Sequence, residues 1–306
     1  MSTYSSVVVD AIWQQLNEQD WPAHGLYVVA TPIGNRADLS LRAWQTLLRA
    51  DVIAAEDTRT TGPLLQAWGV RTPLIAVHRH NEAEAGSALL ERLARGERVA
   101  LISDAGAPAI SDPGGRLVQT VRHAGYRVIP IPGPSAVTTA LMASGVTSDE
   151  QPAFIFAGFS PAKKTARQKW LQHWGAQNLP VLFFESPHRL MDCSRDLLQV
   201  LGPERRLTLC RELTKRFEQV HECSLAELPD WLSADAHRQR GEFVLILHGL
   251  ESADSQTLDE QTRDWMRALA GQLSVRDVVR IAMQATGLPR QPLYQYALSL
   301  KAQEQS

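Results

Sequence analysis

What limits this chain most is an alternation of short β-branched runs with amphipathic helical segments through its first half. Leu26–Ala30, Asp51–Ala55, Leu74–Val77, Arg98–Ile102 and Arg127–Ile131 each read as a short buried strand. Between them the apolar spacing becomes helical. Asp38 or Ser40 caps a helix to Ala50 with Leu41, Trp44, Leu47 and Leu48 on one face. The helix Ala83–Arg95 stops at Gly96. A later one runs to Ala124, with Pro113 suited to its first turn, Asp112 to its cap and Gly125 to its end. Strand and helix in turn give an α/β domain with a largely parallel sheet, because parallel neighbours need a crossover between them. The strands' carboxyl ends then gather on one edge. Each carries a polar or Gly/Pro-rich loop: Thr31-Pro32-Ile33-Gly34-Asn35, Glu56-Asp57-Thr58-Arg59, His78-Arg79-His80-Asn81-Glu82, Ser103–Gly115 and Pro132-Gly133-Pro134-Ser135. That edge is where an open α/β sheet binds its ligand, and small residues let a ligand come close to the backbone.

Around Ser144–Pro152 the pattern gives way to turn residues, which marks a domain boundary. Phe154–Phe159, Val181–Glu185, Leu207–Arg211 and Phe243–His248 are the next strand candidates, with helices near Lys163–Gly175 and Pro187–Leu201. The last two strands are separated by a stretch with little strand or long-helix character, so an α+β domain with a mixed sheet is expected. Beyond Gly249 comes a polar linker, Glu251–Gln256, and then helical segments over Asp259–Gly271, Ser274–Gly287 and from Arg290 onward. The break Thr286-Gly287-Leu288-Pro289 suggests a helix-turn-helix unit. Its mildly basic balance suits either a nucleic-acid contact or a solvated appendage. The expected division is an N-terminal extension (1–25), two α/β domains (26–148 and 149–250) and a helical unit (255–306). The extension is either loosely docked or an interaction helix, since Ile12, Trp13 and Leu16 share helical spacing.

Composition narrows the function classes. The 306 residues carry a formal net charge of −2, so any nucleic-acid site must be a local patch. Cys193, Cys210 and Cys223 are odd in number, lack metal spacing and read as reduced thiols of a cytosolic protein. Met1–Gly25 lacks the apolar stretch of a secretory signal, and no run reaches the length of a membrane span. The motifs G-x-G-x-x-G after the first strand, G-x-x-x-x-G-K-[ST] and G-x-S-x-G are absent. That argues against the usual nicotinamide or flavin site, nucleotide triphosphate hydrolysis and a serine-hydrolase elbow. His78, His80 and Glu82 have no matching second cluster, so no metal is expected.

Each loop alone is an ordinary turn. Together, T-P-I-G-N after the first strand, S-D-A-G-A-P-A-I-S-D-P-G after the fourth and I-P-G-P-S-A after the fifth resemble the tetrapyrrole methylase superfamily. A-A-E-D-T-R-T-T-G, H-R-H-N-E, F-F-E-S-P-H-R, R-E-L-T-K and G-E-F-V-L narrow the resemblance to its ribosomal RNA-modifying branch. The resemblance runs from Leu26 to Gly249 and into the helical unit. It implies two α/β domains with S-adenosylmethionine in the cleft between them. It also implies a cytoplasmic homodimer that methylates the ribose 2′-hydroxyl of a cytidine in the decoding region of 16S rRNA, within the small ribosomal subunit. By the same resemblance, Pro32, Gly34, Asn35, Ser103, Asp104, Ala105 and Gly106 would contact the amino-acid and sulfonium end of the methyl donor. Pro132, Gly133, Pro134 and Ser135 would lie near its ribose and adenine, and Phe184, Glu185 and Ser186 would face the cleft from the second domain.

Methyl transfer from a sulfonium is an in-line displacement that needs alignment rather than a metal. A ribose hydroxyl is a poor nucleophile, so a group should accept its proton. Asp57, Asp104, Glu185, Glu212 and His78 are available, and Glu185 and Asp104 come first because both end strands that face the expected cleft. Asp104 equally suits fixing its loop or the donor's amino group, and Glu185 suits orienting Arg189 or Arg211. Arg59, Arg79, Lys163, Lys164, Arg167, Lys169, Arg189, Arg211, Lys215 and Arg216 are the basic residues expected near the cleft edge for RNA phosphates. Lys163–Lys169 is the densest group, a spacing that a solvated helix face also gives. Two rivals remain. A tetrapyrrole carbon methyltransferase would not need the helical unit, and a nucleic-acid-binding regulator would leave the cofactor loops unexplained.

Overall fold

The computed structural model describes residues 3–78, 82–250, 258 and 260–304. Arg79, His80 and Asn81 of the third loop and the linker Glu251–Gln256 lie outside these residues. The alternating half forms β1 (Gly25–Val29), β2 (Val52–Ala55), β3 (Leu74–Ala76), β4 (Arg98–Leu101) and β5 (Arg127–Ile131). They lie in the order β3-β2-β4-β1-β5, and every pair is parallel. The helices of this half are α1 (Thr3–Asn17), α2 (Leu41–Arg49), α3 (Thr58–Ala67), α4 (Glu82–Ala94), α5 (Gly115–His123) and α6 (Ala136–Ser144). Both faces of the sheet are covered, which is why β2 is apolar without alternation. Leu47 and Ile53 pack on one face, and Leu89, Leu93, Val99 and Leu117 on the other. β4 inserts between β1 and β2, so the chain reverses its advance across the sheet there. The loops after β1 and β4 are thereby neighbours.

Local chemistry settles several open points. Ser40 caps α2, its Oγ accepting from the Ala43 N–H at 3.1 Å. Helix α5 begins later than the sequence suggests, at Gly115. Its cap is Gly114 at φ 119°, with no side-chain cap bond, so Asp112 is not the cap and Pro113 precedes the first turn. A Cβ at Gly114 would stand 3.0 Å from the Leu101 side chain, which the extended Asp-Pro spacing does not reveal. The N-terminal segment is a docked helix: the Trp13 ring is 5.2 Å from Trp44 on α2, and Arg49 donates to the Asn17 side chain at 3.0 Å.

The second sheet contains β6 (Ile155–Phe159), β7 (Val181–Glu185), β8 (Arg206–Arg211), β9 (Gln219–Ser224) and β10 (Phe243–Leu247). Their order is β6-β7-β10-β8-β9. Only β6 with β7 is parallel among these pairs, so the sheet is mixed as expected. Strand β9 is absent from the sequence expectation. It is an edge strand whose residues are mostly half-buried or exposed, and its Q-V-H-E-C-S lacks an apolar run. The helices α7 (Lys164–Gly175), α8 (Pro187–Leu201) and α9 (Leu228–Ser233) accompany this sheet. Leu171, Leu190 and Leu197 from α7 and α8 pack against Phe183 and Leu245 on one face. The other face receives α6, whose Val137 and Ala140 pack with Leu182, Val244 and Ile246. Both sheets thus share a core and belong to one compact unit, residues 1–175 and 180–248.

Residues 176–179 and 249–306 form a second unit. In it α10 (Glu260–Ala270), α11 (Val275–Thr286) and α12 (Arg290–Glu304) surround Met266, Val278, Val279 and Leu293. The Ser274 side chain caps α11 and Gly287, at φ 68°, ends it. Among the described residues no helix is long and apolar enough to cross a membrane.

Arg167 lies inside the fold. It is 3% exposed and its guanidinium meets Asp196, itself 2% exposed, through Nε at 2.8 Å and Nη2 at 2.7 Å. Removing one member of a buried pair strands the other, at about 3–5 kcal/mol. Arg167→Ala should therefore lower unfolding stability by about that amount in urea titration. A loss below about 1 kcal/mol would contradict a buried pair that spans α7 and α8.

Candidate functional site

The loops after β1 and β4 are joined by their backbones. The Thr31 N–H donates to the Gly106 carbonyl at 2.9 Å and the Gly106 N–H returns to the Thr31 carbonyl at 3.0 Å. The Thr31 hydroxyl donates to the Ser103 carbonyl at 3.2 Å. The buried Ser103 hydroxyl donates to the carbonyls of Ala105, at 3.2 Å, and Gly106, at 3.3 Å. Gly106 sits at φ 81°, where a side chain is strained. A Cβ at Gly34 would overlap the Lys215 side chain. The Asn35 N–H donates to the Thr214 hydroxyl at 3.1 Å, so T-P-I-G-N is pinned against R-E-L-T-K of the second sheet. A Cβ at Gly133 would stand 3.1 Å from that of Ala30, which keeps P-G-P against the end of β1.

These loops roof an apolar cleft of about 350 Å³ between the carboxyl edge of the first sheet and the second sheet. Ile33, Ala105–Ala107, Ile110, Asp112, Ser135 and Ala136 line it from the first half. Phe159, Phe184–Pro187, Cys210, Leu213 and Gly241–Val244 line it from the second. Its volume is at the small end of the range for organic ligands, and its apolar walls with few polar groups are the usual composition of such sites. Phe184 meets Phe159 edge-on with centroids 5.2 Å apart. Burial pushes the Cys210 thiol up to about 12, so this floor residue is an inert apolar group at neutral pH.

A second, polar depression of about 480 Å³ lies on the other side of the same loop, lined by Glu56, Asp57, Thr58, Arg59, His78 and Asp104 among others. Asp104 Oδ1 accepts from the Asp57 N–H at 3.3 Å and from the Thr61 hydroxyl at 3.1 Å. Hydrogen bonding to Arg59 holds the Asp57 carboxyl down at about 2, so it is a fixed negative charge. The segment Ser103–Ala107 therefore turns Asp104 toward the polar side and Ala105–Ala107 toward the apolar side.

The structure sorts the expected residues. Ala105, Gly106, Ser135, Phe184, Glu185 and Ser186 do line the cleft. Pro32, Gly34, Asn35, Ser103, Pro132, Gly133 and Pro134 are not among the residues that line it, and Asp104 lines the depression instead. Glu185 is close to the cleft yet engaged: Arg189 Nη2 lies 2.8 Å from Oε1, the Ser186 N–H donates to Oε1 at 2.8 Å, and the Ser160 hydroxyl donates to Oε2. Its side chain is fully buried, so it anchors Arg189 and is not a free base. Glu212 is likewise occupied, accepting from Lys215 at 2.8 Å and from the Glu242 N–H at 3.0 Å.

Two expected RNA contacts are corrected. Arg167 is spent in the buried pair with Asp196. Arg211, 7% exposed, donates to the carbonyls of Arg240, at 2.7 Å, and Phe217, at 3.1 Å. Both sit on buried faces, which a count of basic residues cannot see. Lys163 and Lys169 are exposed on or beside α7, as is Lys164. Arg59 is exposed but paired with Asp57 at 2.8 Å. Arg189 and Lys215 are half-buried in ion pairs. Of the turn 32–35 expected at the cleft, Ile33 is the residue that lines it, and the sequence reading missed Ile110, Phe159 and Phe243 as cleft walls. Phe159 at a strand's carboxyl end was the legible signal among them.

Residues 25–229 match the family described as Tetrapyrrole (Corrin/Porphyrin) Methylases, and residues 256–301 match the RsmI C-terminal HTH domain. Ribosomal RNA small subunit methyltransferase I of Escherichia coli O157:H7 is 44% identical over 273 residues, 89% of this chain and 94% of the relative. The chain belongs to the ribosomal RNA small subunit methyltransferase I family. The relative of that name from Pseudomonas aeruginosa is 43% identical over 274 residues, 89% of this chain and 96% of its own length. Among solved structures, a cobalt precorrin-4 methyltransferase aligns with a TM-score of 0.54 at 14% identity, over 73% of this chain and 94% of that one. A uroporphyrin-III C-methyl transferase from Thermus thermophilus complexed with S-adenyl homocysteine aligns with a TM-score of 0.50 at 18% identity, over 72% of this chain and 96% of that one. These two likenesses establish the fold.

The Glu185 geometry yields a prediction. Glu185→Gln leaves Arg189 without its counter-ion, so urea titration should show a loss of about 2 kcal/mol, discounted for the partial exposure of Arg189. An unchanged midpoint with turnover alone reduced would restore Glu185 as the proton acceptor.

Proposed function

We propose that this chain transfers a methyl group from S-adenosylmethionine to a ribose 2′-hydroxyl of small-subunit ribosomal RNA. The observation that carries the reading is the two-sided loop Ser103–Ala107, with an apolar cleft on one face and an acidic, open depression on the other, in a chain of the ribosomal RNA small subunit methyltransferase I family. The cleft suits the methyl donor. An aromatic wall from Phe159, Phe184 and Phe243 of the second half lines it together with Ile33 and Ala105–Ala107 of the first. Glycine at 106 lets Ile33 pack close to that segment, where a Cβ would stand 3.3 Å from the Ile33 side chain. When bound, S-adenosylmethionine supplies a methyl group already activated by a cationic sulfur.

The residues of this chain then have three tasks. Ile33 and the phenylalanines exclude water from the donor. The Glu185–Arg189–Ser160 set holds the end of β7, and with it Phe184 and Ser186, in place. Asp104 accepts the proton of the ribose hydroxyl as the new bond forms. Its Oδ1 is oriented by Asp57 and Thr61, which leaves Oδ2 for the hydroxyl. The acceptor nucleotide brings its hydroxyl to the methyl at the rim of the cleft, on the Asp104 edge of the loop, and has to leave any stack to do so. Exposed Lys163, Lys164 and Lys169, and Arg276 and Arg280 of α11, supply phosphate contacts. The finer identity we propose is a cytidine of the 16S decoding region, modified in the cytoplasm. The working form would be a homodimer covering apolar side chains such as Met142, 85% exposed.

A labelling assay tests this reading. S-adenosylmethionine with a labelled methyl is offered with naked 16S rRNA, with intact small subunits and with a tetrapyrrole precursor, in separate reactions. Label is expected on a ribose of the RNA in at least one of the first two. Label on the tetrapyrrole alone, or on none, would overturn the reading.

A further inference from the structure

The loop joining β8 to β9 is braced more heavily than a connection between two strands requires. Glu212 and Thr214 hold left-handed φ angles of 50° and 66°, a region that residues with side chains seldom occupy. The Thr214 N–H donates to the Glu218 carboxylate at 2.6 Å, and the Glu218 N–H donates to the Lys215 carbonyl at 3.1 Å. Lys215 Nζ is shared between Glu212 and Glu242, at 2.8 Å each. Beneath them the buried Arg211 guanidinium takes the Phe217 carbonyl at 3.1 Å. The product of this bracing is an aromatic ring held outward. Phe217 is 62% exposed, and the Arg216 guanidinium lies over its ring, 5.5 Å from the centroid.

A single exposed apolar residue is unremarkable on a protein surface. Here the backbone that carries the ring is held at the Phe217 carbonyl, a cation lies over one face of the ring, and the loop is the one that delivers Leu213 to the cleft wall. Leu213 and Phe217 are four residues apart, a span of at most about 14 Å. A nucleotide flanking the acceptor is within that reach. Rigid aromatic rings with arginine beside them recognise unpaired bases by stacking, with little regard to base identity.

We propose that Arg216 and Phe217 form a stacking platform for an unpaired RNA base next to the nucleotide being methylated. Phe217 is thus a positioning residue for the RNA, distinct from the groups that hold the methyl donor. The inference rests on the RNA-methylation reading above.

The test compares wild type with Phe217→Ala, Phe217→Trp and Phe217→Leu in methyl transfer to small-subunit RNA. Phe217→Ala should raise KM for the RNA about tenfold, the effect of one lost stacked base. Turnover at saturating RNA, the affinity for S-adenosylhomocysteine and the thermal midpoint should be unchanged. Phe217→Trp should restore the wild-type KM and Phe217→Leu should not. An unchanged KM in Phe217→Ala, a full rescue by leucine, or a change in sedimenting mass with no change in KM would overturn the platform. In each of those cases wild-type labelling of RNA stands. Absence of wild-type labelling overturns the platform together with the reading beneath it.

Discussion

The pair of backbone hydrogen bonds between Thr31 and Gly106 is the constraint on which the site depends. It lies outside both sheets' regular ladders, yet it ties the loop after β1 to the loop after β4, which neighbour each other only because β4 inserts beside β1. With those loops joined, Ile33 and Ala105–Ala107 become one surface rather than two mobile ends. Ser103 completes the knot by turning its hydroxyl back onto the same segment. A backbone group left unpaired in so buried a place would cost about 1–3 kcal/mol. The bonds are therefore strongly held, and the loop's two faces keep their separate characters.

From that constraint the division of labour follows. The second sheet presses its aromatic and aliphatic edge toward one face of the loop, through α6 and the pinned T-P-I-G-N turn. The carboxyl ends of β2 and β3 place Glu56, Asp57 and His78 on the other. The apolar cleft and the polar depression thus meet one peptide segment from its two faces, and a donor and an acceptor could be brought into contact only at its rim, not across it. Alignment of two reactants is the largest contribution such a protein can make, worth about 7–11 kcal/mol in favourable cases. It requires only that Ser103–Ala107 stays in place.

Much of this was legible in the residues. Alternating apolar runs gave five parallel strands, since a buried parallel strand needs an unbroken run such as Val52–Ala55. The loops that carry the family resemblance were read at their proper strands. What escaped was set by tertiary contact. Strand β9 is a half-exposed edge and advertises no hydrophobic period. Arg167 and Arg211 carry the same chemistry as surface arginines, and only their partners, Asp196 and the Arg240 and Phe217 carbonyls, reveal them as internal. Glu185 stands at the expected strand end, but its competence as a base depends on Arg189 and Ser160 reaching it across helix and turn. The side of the loop to which Asp104 points was equally invisible, because a glycine-rich segment allows either.

The most direct test of this account is amide hydrogen exchange of the protein with and without S-adenosylhomocysteine. Added ligand should slow exchange at Ala105–Ala107, at Ser135 and Ala136, and at Phe243 and Val244, leaving Asp57–Arg59 and His78 unchanged. Protection confined to Glu56–Arg59 and His78 would place the methyl donor in the polar depression and contradict the two-sided loop.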